Sequence, residues 1–138
     1  MLADGGSLWV AIENKLGLKY FAGCREDHTG LCFEGIEGYP HRKGPQTFSR
    51  KELTELAEEC GFECRFYYPY PDYKFPVKIF SDERLPKPGE LSRNWQCFDT
   101  DRLQLFDEAK AFDTVLAAGL FPELSNSFLV QMRKKVTG

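Results

Sequence analysis

Leu8-Trp9-Val10-Ala11-Ile12 is a continuous apolar run, opened by the Gly5-Gly6 turn and closed by the polar pair Glu13-Asn14. Continuous rather than alternating hydrophobicity predicts a strand buried on both faces. The carboxyl end of such a strand is where open α/β sheets place their ligands. Residues 15–47 then mix glycines, prolines, charges and aromatics, with room for a short helix around Lys15–Phe21. A connection this long is functional or disordered, and Tyr20, Phe21, Phe33 and Tyr39 predict that it is packed.

Ser49-Arg50-Lys51-Glu52 has the form of a capping box, with Phe48 and Leu53 at staple positions. Leu53, Leu56, Ala57 and Cys60 share one helical face and Gly61 supplies a left-handed stop, which predicts a helix over Arg50–Cys60. Phe62, Cys64, Phe66 and Tyr68 alternate with Glu63, Arg65 and Tyr67, the period of a strand. Pro69 and Pro71 are expected to end it, because proline gives no ladder donor. An aromatic, proline-rich loop follows, then a short extended piece over Val77–Phe80 and a surface connection over residues 81–101. Phe106, Ala109, Phe112 and Leu116 recur near period 3.6, predicting a second helix over Arg102–Ala118 closed by Gly119. After a turn region over Leu120–Asn126, Ser127–Arg133 reads as the last strand, with Phe128, Val130 and Met132 on one face.

Composition narrows the function classes. With 42% hydrophobic residues, the chain of 138 has material for a real core, which argues against disorder. A net charge of −3 removes the basic field expected of a nucleic-acid binder. Arg133-Lys134-Lys135 reads as a solvated strand exit rather than a phosphate site. No run approaches the roughly 20 apolar residues of a membrane span. The first residues carry no secretory signal pattern. Five cysteines show no disulfide framework, which suggests a reducing cytoplasm.

The order of elements resembles the end of the class I S-adenosylmethionine-dependent methyltransferase fold. Asp4-Gly5-Gly6 followed by Leu8–Ile12 is similar to that family's turn into its fifth strand, and Thr47–Leu53 to the start of the next helix. Gly61-Phe62 matches the entry to the sixth strand, and Ser127–Arg133 suits the antiparallel seventh, which lies between the fifth and sixth. A narrower resemblance, to a bacterial subfamily encoded with or fused to cell-envelope glycosyltransferases, is carried by several strings. They are Ile12–Gly23, Glu26–Gly30, Tyr67–Pro76 and Ser125–Phe128. The resemblance implies an α/β, partial Rossmann-like fold of three layers. It has a small mixed sheet (equivalents of strands 5, 7 and 6), packed helices and a helical insertion. The single domain 1–138 then divides into a buried strand (1–14), an active-site loop (15–47) and a helix-strand unit (48–80). An insertion with a helix (81–126) and the last strand (127–135) complete it.

The same resemblance implies methylation of a sugar or polysaccharide precursor by the complete enzyme. The glycine-rich turn that holds the methyl donor has no counterpart in these residues. S-adenosylmethionine is therefore expected on a separate N-terminal half and not on this chain, which alone is expected to be inactive. The strand over Leu8–Ile12 would then lack a neighbour and present an apolar edge, a route to homo-oligomers. A non-catalytic binding or dimerisation module of a glycosyltransferase-associated protein is the alternative. A stand-alone hydrolase or metal enzyme is the third.

His28 is the candidate base for a hydroxyl proton, with Asp27 beside it in sequence and Thr29 next in the loop. Because Asp27 is adjacent in sequence, another carboxylate can orient His28 in its place; a role for His28 in anchoring the loop by hydrogen bonds is the competing reading. Glu13 and Asn14 either position the acceptor or satisfy the backbone of the turn after the first strand. Tyr68 and Tyr70, in the string Phe66–Phe75, are candidates for packing against sugar C–H faces, and core packing competes with that role. Cys24, His28, Cys32 and His41 are all ligand types, yet their spacing matches no familiar zinc site.

Overall fold

A computed structural model describes residues 3, 5–41, 44–92 and 105–136. Four strands form one sheet: β1 (Ser7–Glu13), β2 (Phe62–Tyr70), β3 (Lys78–Ser81) and β4 (Ser127–Lys134), in the order β1-β4-β2-β3. β4 lies between β1 and β2, antiparallel to both, so β1 and β2 run the same way. β3 closes the other side as a hairpin on β2. All pairings between named strands are antiparallel, which corrects the expected mixed sheet of about three strands.

Alternation along β4 decides which face is core. Phe128, Val130 and Met132 pair in register with Ile12, Val10 and Leu8 on one side, and Val130 and Met132 with Phe66 and Cys64 on the other. Successive side chains alternate faces, so these residues share one face with Tyr68 and its β3 partner Phe80. Three helices pack there: α2 (Arg50–Glu59) through Leu53, α3 (Glu108–Ala117) through Phe112, and α4 (Phe121–Leu124) through Phe121. The rings meet edge to face, Phe66 on Phe128 at 5.3 Å and Phe112 on Phe121 at 5.8 Å. The opposite face carries Trp9, Ala11, Tyr67, Leu129 and Ile79, with Trp9 and Ile79 each 52% exposed. Among the described residues the molecule thus has helices on one face, not the expected three layers.

Local chemistry explains most boundaries. Ser49 Oγ accepts the Glu52 N–H at 3.2 Å and Glu52 returns to the Ser49 N–H at 3.1 Å, so the predicted capping box forms. Gly61 takes φ +81, the left-handed stop. Leu56 and Cys60 nevertheless face solvent, and only Leu53 and Ala57 of the predicted helical stripe are buried. β2 continues through Pro69 to Tyr70. Tyr70 turns its carbonyl toward β3, where it accepts the Val77 N–H at 2.7 Å. Pro69 therefore turns its missing donor toward β4, whose pairing with β2 ends at Tyr67. α3 begins at Glu108, capped by Asp107. The expected start near Arg102 lies outside the described residues. The predicted turn over Leu120–Asn126 contains α4.

β1 departs most from expectation. Leu8 is 47% exposed on the helical face and Trp9 is exposed on the other, so the strand is not buried on both faces. It occupies the sheet's edge. Phe128→Ala is expected to cost about 3–5 kcal/mol in chemical denaturation. Trp9→Ala is expected to change stability by about 0.5 kcal/mol or less; equal losses in the two variants would contradict this assignment of faces.

Candidate functional site

The carboxyl end of β1 is built from buried polar side chains. Asn14, fully buried, donates from Nδ2 to the Glu123 and Ser125 carbonyls at 2.8 and 2.7 Å, and its Oδ1 accepts the Leu16 N–H at 3.0 Å. Its amide is engaged in fastening the turn after β1 to the chain entering β4. Asn126 reciprocates: Oδ1 accepts the Lys19 N–H at 3.0 Å and Nδ2 donates to the Pro71 carbonyl at 3.1 Å. Gly17 permits this closeness, because a Cβ there would lie 3.0 Å from the backbone of Asn126.

Beside this turn, Lys19 of α1 (Leu18–Phe21) sits between two carboxylates. Its Nζ is 2.6 Å from Glu13 Oε2 and 3.0 Å from Asp72 Oδ2. The three side chains are only 1–4% exposed. Glu13 Oε1 is buried without a hydrogen-bond partner. Burial pushes the Glu13 carboxyl up to about 8; Lys19 opposes that shift, and the charges of Asp72 and Asp27 add to it. Burial disfavours the Lys19 ammonium, but Glu13 and Asp72 outweigh it and raise its pKa. Burial and the Lys19 ammonium thus act on Glu13 in opposite directions, and burial is the larger of the two.

The loop after α1 carries a second arrangement. Glu26, 3% exposed, accepts the backbone N–H groups of His28 and Thr29 at 2.8 and 2.7 Å and the Tyr39 hydroxyl at 3.1 Å. Its Oε1 lies 3.0 Å from His28 Nδ1. Burial works against the Glu26 carboxylate, but the hydrogen bonds from His28, Thr29 and Tyr39 prevail and hold its pKa below the ordinary value. The His28 side chain is 42% exposed, so a carboxylate fixes one ring nitrogen while the ring stays accessible. Glu34 and His41 repeat the design at 2.9 Å, and that hydrogen bond raises the His41 pKa.

The sequence candidates therefore fall in different places. Asp27 does not orient His28; its Oδ1 meets the Tyr20 hydroxyl at 3.4 Å and its Oδ2 faces Lys74 Nζ at 3.6 Å. Thr29 contributes its backbone to the Glu26 turn. Tyr68 and Tyr70 belong to the core. The Tyr68 ring packs on Phe121 and Phe128, and its hydroxyl donates to Asp82 at 2.6 Å and accepts from Arg50 Nε at 3.2 Å. Tyr70 packs on Phe112. Neither offers a free ring face to a sugar. The aromatics of that string with open surface are Phe75, Tyr67 and Tyr73. Among the described residues no group of three or more His, Cys, Asp or Glu is placed to hold a metal ion. Lys19, Asp72 and Glu26 escaped the sequence reading. The i, i+2 spacing of Glu26 and His28 was the one available signal, and nothing local links Lys19 to Asp72.

A scan of protein-family models, a search of curated proteins and a search of solved structures return no match to this chain. The strand-to-helix turn after β1 contains one glycine, Gly17, and the space beside it is filled by the backbone of Asn126.

The Glu13 shift has a defined sign. Between the ordinary value of 4.5 and about 8, the folded state keeps a proton that the unfolded state releases, so stability falls as pH rises across that window. Denaturant midpoints measured from pH 4.5 to 8 are expected to lose this component in Glu13→Gln, while a slope identical to that of the wild type would refute it.

Proposed function

We propose that this chain is the acceptor-side part of a class I methyltransferase acting on a hydroxyl of a sugar or polysaccharide precursor. S-adenosylmethionine is held by strands and turns of another part of the enzyme. The observation that carries the reading is the strand order. The last strand, β4, inserts antiparallel between β1 and β2, which run the same way, with α2 falling between those two in sequence. This order supports the 5-7-6 arrangement that the resemblance of Asp4–Ile12, Thr47–Leu53 and Ser127–Arg133 implies. The apolar edge of β1, uncovered among the described residues, supports it as well, since a further strand would complete the sheet there.

In this reading His28 is the base. Glu26 holds Nδ1, which leaves Nε2 to take the proton of the acceptor hydroxyl. The Tyr39 hydroxyl, bonded to both Glu26 and Thr47 (2.9 Å), keeps the carboxylate in place. The methyl group itself is supplied by the donor, on which no residue described here acts.

Calorimetry of this chain with S-adenosylmethionine is expected to show no binding; micromolar binding would mean that a donor site exists within it. Supplied with a glycine-rich donor half, the chain is expected to support methyl transfer to a sugar hydroxyl. His28→Ala would lower the rate ~10²–10⁴-fold, the usual contribution of a general base.

A second reading, a non-catalytic binding or dimerisation module, is favoured by one feature. β1 has an open edge, and Trp9 beside it is 52% exposed and 5.9 Å from the Tyr67 ring. Sedimentation across a concentration series tests this module. Dimers abolished by Val10→Pro fit both readings, and a monomer at every concentration removes the module.

A further inference from the structure

Glu13 Oε1 is the one buried side-chain atom at the end of β1 left without a partner. Its surroundings are otherwise satisfied. Glu13 Oε2 is held by Lys19, Lys19 also by Asp72, and the Tyr73 N–H by both the Asp72 carboxylate and Ser127 Oγ. A side chain so firmly located and only 4% exposed, yet with an unpaired buried acceptor, is costly unless something occupies the site. Tyr20, Tyr73, Lys74 and Asp27 are close enough for their charges to couple to Glu13. Lys74 and Asp27 face each other across 3.6 Å as exposed residues. Displacing that surface pair is inexpensive.

The chemistry of the ligand follows from the charges. Two carboxylates share one ammonium, and burial favours the uncharged form of Glu13 while Lys19 favours the charged one. An ammonium ligand serves only the carboxylate, and an anion serves only the acid. A hydroxyl serves both, donating to Oε1 in one state and accepting from it in the other. We propose that the Glu13 carboxyl, fixed by Lys19 at the carboxyl end of β1, is the recognition group of a binding site for an uncharged, hydroxyl-bearing ligand whose hydroxyl bonds to Oε1. The inference concerns binding alone and stands or falls separately from the methyl-transfer reading.

The test is carbon NMR of the full chain labelled at glutamate carboxyls, titrated with methyl β-glucopyranoside and with sorbitol. Methylammonium and acetate serve as charged controls. A saturable shift of the Glu13 resonance with either polyol, absent with both ions, is the expected result. Glu13→Ala, followed through the Tyr73 amide, is expected to weaken polyol binding about tenfold, the effect of one lost hydrogen bond. The wild-type titration decides the matter even if that variant fails to fold. No saturable shift with either polyol overturns the site, as does a response to methylammonium alone or unchanged affinity in a folded Glu13→Ala. Polyol binding without methyl transfer in the joined enzyme would sink the methyltransferase reading and leave this site standing.

Discussion

The arrangement at the end of β1 depends on one buried cation. Lys19 joins three segments that are distant in sequence: β1 through Glu13, α1 through its own backbone, and the loop after β2 through Asp72. Removing one partner of a buried ion pair costs about 3–5 kcal/mol, whereas replacing the whole set by apolar side chains is often neutral. Such a cluster therefore adds little net stability. What it does is exclude other arrangements, because each alternative position of α1 or of the Asp72 loop strands a charge away from water. Asn14 and Asn126 act in the same sense with neutral groups, each tying a turn to a segment more than fifty residues away.

The aromatic core supplies the complementary, non-directional part. Phe128 and Val130 are fully buried at the centre of the sheet, where β4 has partners on both sides. α4 adds Phe121, which touches Tyr68, Phe80 and Phe112. The short helix thus occupies the middle of the aromatic cluster although it has four residues and no side-chain cap. Packing, not propensity, makes it a helix.

Elements whose cause is local were legible. The Ser49–Glu52 box and the Gly61 stop each rest on contacts within a few residues, and the alternation of Phe62–Tyr68 reports the pleat directly. Pro69 was misread because its harm depends on which neighbour its missing donor faces, a property of the ladder and not of the residue. Tyr68 and Tyr70 were open to a binding role because an aromatic string reads alike in a core and at a surface. Their burial is fixed by the register with β3 and by Phe112 and Phe121, forty and more residues away. At the site, His28 was visible, and the carboxylate that orients it was left open. Glu26 wins over Asp27 because a carboxylate two residues earlier can collect both the His28 and Thr29 N–H groups while reaching the ring.

The apolar run of β1 carried the strongest sequence signal and yet forms the sheet's edge. Continuous hydrophobicity reports that a strand is meant to be covered, without saying by what. On the helical face, Val10 and Ile12 receive cover from the core while Leu8 stays open. On the other face, Trp9 leans on Tyr67 across β4 and nothing lies above it among the described residues. Ser7–Ile12 also has none of the usual protections of an edge: no lysine, no proline and no inward charge until Glu13. Evolutionary tolerance of such an edge in a free monomer would be hard to understand, because it is a template for pairing. An edge that is normally filled needs no such protection. The composition of β1 and its place in the strand order are therefore the two observations on which the proposed methyltransferase reading rests.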